Sequence, residues 1–213
     1  MDSKGQTLTI CVSGAARGET VDLDYKIAFK IGKKIAERGH TLITGATVGL
    51  PDWAAQGAKS VGGKSIGISP ASNLKEHVKS YKLPTEAYDF ILYTGMNYVG
   101  RDSLLIQSSD CVISIGGRMG TVHEFATALE AHKPVGVVSN SGGTSDLFDE
   151  LMILAGMCKG GVCTDRHDVF FEEDIDKLLD IVIDATLEKF WKEVEPKLKK
   201  AKKKPRPKNL DAH

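Results

Sequence analysis

Short apolar runs rich in β-branched residues alternate along the chain with longer stretches whose apolar positions recur every three to four residues. The short runs are TLTICVSG (7–14), TLITG (41–45), KSIGISP (64–70), DFILYTG (89–95), DCVISIGG (110–117), PVGVVSN (134–140) and DVFFEE (168–173). They are largely apolar rather than strictly alternating, which is the pattern of strands covered on both faces. Between them, residues 24–39 put Ile27, Ala28, Ile31 and Ile35 on one helical face and lysines on the other, and stop at Gly39. Residues 51–63 predict a helix with Pro51 in its first turn, where the missing N–H costs nothing. Further helices are predicted at about 99–109, 120–132, 144–157 and 174–195, with Thr144 or Ser145 capping the third of these. Residues 71–88 read as an irregular surface excursion. Buried strands separated by helices require right-handed crossovers. The expected fold is therefore α/β, a Rossmann-like doubly wound parallel sheet of about seven strands with helices on both faces.

A length of 213 residues, 41% hydrophobic and 26% charged, suits one domain with a large core, expected over residues 1–195. The formal net charge is zero but unevenly spread: Lys197–Lys208 carries eight basic residues and no acid, leaving 20 basic against 28 acidic groups elsewhere. Residues 196–213 are read as a fraying helix end and a basic, disordered tail. A basic tail on an acidic body lacks the positive folded face of a nucleic-acid-binding domain, so no nucleic-acid partner is expected. No apolar run is long enough for a membrane span, and the N-terminus lacks the pattern of a secretion signal. Four cysteines do not suggest a disulfide scaffold, and a cytoplasmic location is expected. Cys158, Cys163 and His167 are close in sequence, but their spacing is not a standard zinc pattern and no metal is assigned.

In a doubly wound sheet, ligands bind in the crevice outside the carboxyl ends of the strands. The segments there are SGAARGE (13–19), TGATVGLP (44–51), TGMNYVGRD (94–102), GGRMGTVHE (116–124) and SNSGGTSD (139–146). All are rich in small residues, which let backbone N–H groups approach an anion, and helix N-termini add unpaired donors and a favourable dipole. Their convergence points to a phosphorylated ligand. Neither GxGxxG nor GxxxxGK[ST] occurs, so NAD and ATP are not indicated, and no resident cofactor is expected.

The segment TLITGATVGLPDWAAQGAKSVGGKSIGISP resembles the GGGxxGLMG loop, helix and strand of the LONELY GUY (LOG) family of SLOG-type proteins. GGRMGTVHE resembles that family's PGGxGTxxE motif, and GRDSLLIQSSDCVISIGG is similar to the segment in which its arginine precedes the motif. The resemblance spans roughly the first 155 residues. It implies a Rossmann-like homodimer that binds a nucleoside 5′-monophosphate and hydrolyses its N-glycosidic bond. Wider relatives include nucleotide sensors and a molybdenum-cofactor carrier, so a non-catalytic nucleotide or cofactor carrier is the alternative. By position, Glu124 and Arg101 correspond to the family's catalytic pair. Gly120 and Thr121 fall on its phosphate-binding GT, and Gly45 and Gly49 on the earlier glycine loop. Ser13, Gly14, Gly116, Gly117, Arg118 and Met119 complete the expected phosphate site. The chain departs from the motif at Gly116, where the family has Pro, at Arg118, where it has Gly, and at His123, where it commonly has Glu.

Independently of that likeness, a carboxylate can stabilise an oxocarbenium-like ribose while it orients or deprotonates water, and an arginine can grip phosphate. Spacing alone also allows Glu124 to be a first-turn helix acid and Arg101 a surface ion pair. Arg118 could contact phosphate directly or fold back into the phosphate site. His123 is read as solvated.

Overall fold

The computed structural model describes residues 5–159, 162–163 and 168–202. Its strands are β1 (Thr9–Gly14), β2 (Thr41–Thr44), β3 (Ser65–Ser69), β4 (Phe90–Tyr93), β5 (Cys111–Ile115), β6 (Val135–Val138), β7 (Cys158–Lys159), β8 (Val162–Cys163) and β9 (Val169–Glu172). Its helices are α1 (Glu19–Glu37), α2 (Leu50–Lys59), α3 (Leu74–Lys79), α4 (Asn97–Gln107), α5 (Met119–Glu130), α6 (Phe148–Leu154) and α7 (Ile175–Lys202). Seven strands form one sheet in the order β4-β3-β2-β1-β5-β6-β9, every pairing parallel, and β7 and β8 form a separate antiparallel pair. The doubly wound architecture expected from the hydrophobic pattern is the one observed.

Alternation along the central strands supplies a separate core on each face. Ile10 and Val12 of β1, with Cys111, Ile113 and Ile115 of β5, pack with Ala28, Ile31, Ile35, Ala54 and Ala58 of α1 and α2 and with Leu178 and Val182 of α7. Their neighbours Cys11 and Val112 face the opposite way, against Leu105, Ile106, Phe125, Phe148 and Met152. The period of two thus operates inside runs that read as continuously apolar. Burial pushes both Cys11 and Cys111 thiols up from their ordinary range, so they serve as small hydrophobes.

Residues 71–88 are more ordered than expected. Asn73 caps α3, its side chain accepting from the Glu76 amide at 3.0 Å. His77 is fully buried, with Nδ1 2.8 Å from Ser69 Oγ and Nε2 2.9 Å from the Pro84 carbonyl. A six-residue helix is too short to display a period, which is why the polar sequence read as irregular. The last helix likewise continues past Pro196 to Lys202, beyond the expected end at 195. Apart from that one proline, PKLKKAK is made of good helix formers. The remainder of the expected tail, 203–213, lies outside the described residues. No described helix is long and apolar enough to cross a membrane.

Candidate active site

The chain proceeds from β1 through β4 towards one edge of the sheet, and β5, β6 and β9 build the other half. The connections leaving β1 and β5 therefore diverge, and a crevice opens between the carboxyl ends of these two strands. A cleft of about 940 Å³ occupies this position. Its walls come from the segments after β1 (Gly14 to Arg17), β2 (Gly45, Thr47, Pro51), β5 (Gly117 to Thr121) and β6 (Gly143, Thr144), with α4 supplying Tyr98, Val99, Arg101 and Asp102.

Among the residues expected to form the site, Gly14, Gly45, Arg101, Gly117, Arg118, Met119, Gly120, Thr121 and Glu124 line the cleft. Ser13, Gly49 and Gly116 do not. The buried Ser13 hydroxyl donates to Glu124 Oε2. Gly49 precedes α2 in a left-handed conformation, where a side chain would strike the carbonyls of Ala15 and Ala16. The Gly116 amide is already committed, donating to Ser141 Oγ at 2.8 Å.

The N-terminus of α5 faces the cleft. Helix geometry leaves the amides of Met119, Gly120 and Thr121 without intrahelical acceptors, so they form a cradle of free donors, an arrangement suited to an anion. The loop after β6 braces it: Thr144 Oγ1 donates to the Arg118 carbonyl at 3.2 Å, and the Ser145 amide and hydroxyl both donate to the Gly116 carbonyl. These hydroxyls fasten the glycine loop instead of capping the following helix, which is the role spacing predicted. Arg118 is exposed at the rim and does not fold back into the cradle. Arg17 is exposed on the same rim, and among the described residues neither arginine makes an ion pair.

The floor carries a buried charged cluster. Arg101, 3% exposed, places Nη1 3.3 Å from Asp102 Oδ1 and 3.6 Å from Glu124 Oε1. Its Nε has no partner within the described protein, and its guanidinium carbon lies 5.9 Å from the Tyr98 ring centre. Gly45 makes this placement possible, since a Cβ there would lie 1.8 Å from Arg101 Nη1. Asp102 Oδ2 in turn contacts His123 Nδ1 at 3.1 Å. Burial pushes the Glu124 carboxyl up to about 7; Arg101 opposes this, the Asp102 charge adds to it, and the Ser13 hydrogen bond opposes it again. The ion pair with Arg101 is thus too weak to offset desolvation, and Glu124 exchanges a proton near neutral pH.

Two members of this cluster were missed or undervalued in the sequence. Asp102 carried no motif; its one signal is an acid beside an arginine at the head of an apolar helical run. His123 is 41% exposed, in keeping with a solvated side chain, and its Nδ1 also contacts Asp102 at the cleft. Among the described residues no group of three or more His, Cys, Asp or Glu could hold a metal. The Cys158, Cys163 and His167 spacing falls on side chains outside the described residues.

The model of the SLOG cluster4 family matches residues 7–160. An uncharacterized protein of Archaeoglobus fulgidus is 38% identical over 128 residues, spanning 60% of this chain and 78% of its own length. The solved structure of TM1055 superposes with a TM-score of 0.69 at 22% identity, covering 84% of this chain and 99% of that one, a likeness of fold. The molybdenum cofactor binding protein from the phototrophic bacterium Rippkaea orientalis superposes with a TM-score of 0.66 at 28% identity, covering 85% of this chain and 98% of its own.

Proposed function

Because the chain belongs to the SLOG cluster4 family, a group with a Rossmann-like nucleotide-binding fold, we propose that its cleft binds a nucleoside 5′-monophosphate and hydrolyses the N-glycosidic bond, in the cytoplasm and as a homodimer. The observation that carries this reading is a buried carboxyl, Glu124, set beside Arg101 on the floor of a cleft whose rim presents the free amides at the start of α5. In this reading the phosphate occupies the α5 N-terminus, where Arg17 and Arg118 supply uncompensated positive charge. Arg101, which lines the floor of the cleft, offers its guanidinium to the ligand. Glu124 stabilises positive charge developing at the ribose anomeric carbon and, in its ionised form, takes a proton from the attacking water.

The test is incubation with AMP and chromatographic detection of adenine and ribose 5-phosphate. Glu124→Gln should reduce kcat by about 10²–10⁴-fold while leaving calorimetric AMP affinity nearly unchanged. Stabilisation by AMP should approach about 2.7 kcal/mol at 100 times Kd, and adenosine should give far less. Equal stabilisation by both would remove the phosphate assignment.

The likeness to the Rippkaea orientalis protein supports a second reading, a carrier that holds a phosphorylated cofactor without turning it over. It predicts nucleotide or cofactor binding with no base release from the wild type. Light scattering in solution tests the dimer.

A further inference from the structure

The roles proposed for Glu124 and Arg101 leave one titratable pair of the site unused. His123 immediately precedes Glu124 on α5, has a side chain 41% exposed, and lines the cleft. Asp102, buried on α4, contacts its Nδ1 through Oδ2 and Arg101 through Oδ1. A carboxylate only accepts, so the hydrogen of the first contact sits on Nδ1, and Nε2 keeps its lone pair. Among the described residues nothing bonds to Nε2. A buried acid that grips one imidazole nitrogen and leaves the other towards a cleft presents a proton-exchanging group in a fixed direction. The charged partner of the ring is Asp102, which is itself paired with Arg101, and Arg101 in turn with Glu124.

Consecutive residues on a helix diverge by about 100°, so His123 and Glu124 reach different parts of the same ligand. Glycoside cleavage needs two such groups, one beneath the leaving atom and one beside the attacking water. We infer that His123, oriented by Asp102, is the second acid–base group of this site and protonates the departing base. The inference rests on the hydrolase reading above. In the step, His123 has first taken a proton from solvent on the free Nε2 lone pair; the C1′–N bond breaks, its electron pair goes to the base, and the base takes that proton from Nε2. A bond forms from the water oxygen to C1′, and the water proton passes to Glu124. Free base and ribose 5-phosphate result; His123 then regains a proton from solvent and Glu124 releases one.

Leaving-group dependence tests the assignment. GMP must be protonated to release guanine, whereas 7-methylguanosine 5′-monophosphate already carries a positive base and leaves without a proton. His123→Gln should slow base release from GMP by about 10²–10⁴-fold and leave release from the methylated nucleotide within about threefold of wild type. Asp102→Asn, which disturbs the imidazole tautomer, should lower the GMP rate by a larger factor than the methylated rate, which it also lowers because Asp102 holds Arg101 as well. The methylated substrate also reports that each variant remains folded. If His123→Gln slows both substrates alike, or neither, the inference is overturned while the hydrolase reading stands. If the wild type releases base from neither nucleotide, the hydrolase reading fails and the inference falls with it.

Discussion

Replacing Glu124 by glutamine probes the electrostatics of the cleft floor without any ligand. The Glu124 side chain is 11% exposed, and burial raises its carboxyl from 4.5 to about 7. A carboxyl held above its unfolded value keeps its proton longer in the folded state. The associated stability is fully present below about 4.5 and is lost as pH rises through about 7. At about 1.4 kcal/mol per pH unit, the wild type forfeits roughly 3 kcal/mol across this window. Glutamine mimics the protonated form: with its carbonyl at the Oε1 position it keeps the contact with Arg101, and its amide at the Oε2 position donates to the Ser13 hydroxyl. The variant and wild type should therefore agree within about 0.5 kcal/mol near pH 4.5. At pH 8 the variant should be more stable by roughly 3 kcal/mol, an increase in Tm of about 6–12 °C for a domain of this size. Urea denaturation at several pH values between 4.5 and 8 measures the difference. A gap that does not vary with pH refutes the raised carboxyl. A variant less stable than wild type at pH 8 would mean that the Arg101 ion pair outweighs desolvation, reversing the argument.

Gly45→Ala drives a Cβ to 1.8 Å from Arg101 Nη1, against 3.4 Å for ordinary contact, and must push the guanidinium away from Asp102 and Glu124. A loss of up to about 3–5 kcal/mol in denaturant melts is expected, as for a broken buried ion pair. Gly120→Ala, where a Cβ meets nothing within 4 Å, should be neutral or stabilising by up to about 1 kcal/mol through helix propensity. Equal effects of the two would remove the special role of Gly45. Arg118→Ala should leave the apo Tm unchanged and weaken AMP binding by about tenfold or more, the loss of one charge-assisted hydrogen bond, measured by calorimetry.

The hydrophobic pattern alone determined the number of sheet-forming strands and their succession along the chain, the helices between them except α3, and which loops end at the carboxyl edge of the sheet. Those features arise from rules acting within a few residues: side-chain period, proline at a helix start, and small residues where backbone must approach an anion. Arg101 and Glu124 were legible because they fall on a motif. Tertiary structure decided what those residues touch. Ser13 bonds to Glu124 across 111 positions, and Asp102 meets His123 across 21, because β1, α4 and α5 converge where the strand order reverses. Nothing local in Ser13 separated a phosphate contact from a brace for a carboxylate. Nothing local in Gly45 announced that an arginine guanidinium would lie against it. Burial reached from several elements together moves the Glu124 carboxyl towards neutrality, and no window of sequence contains that enclosure.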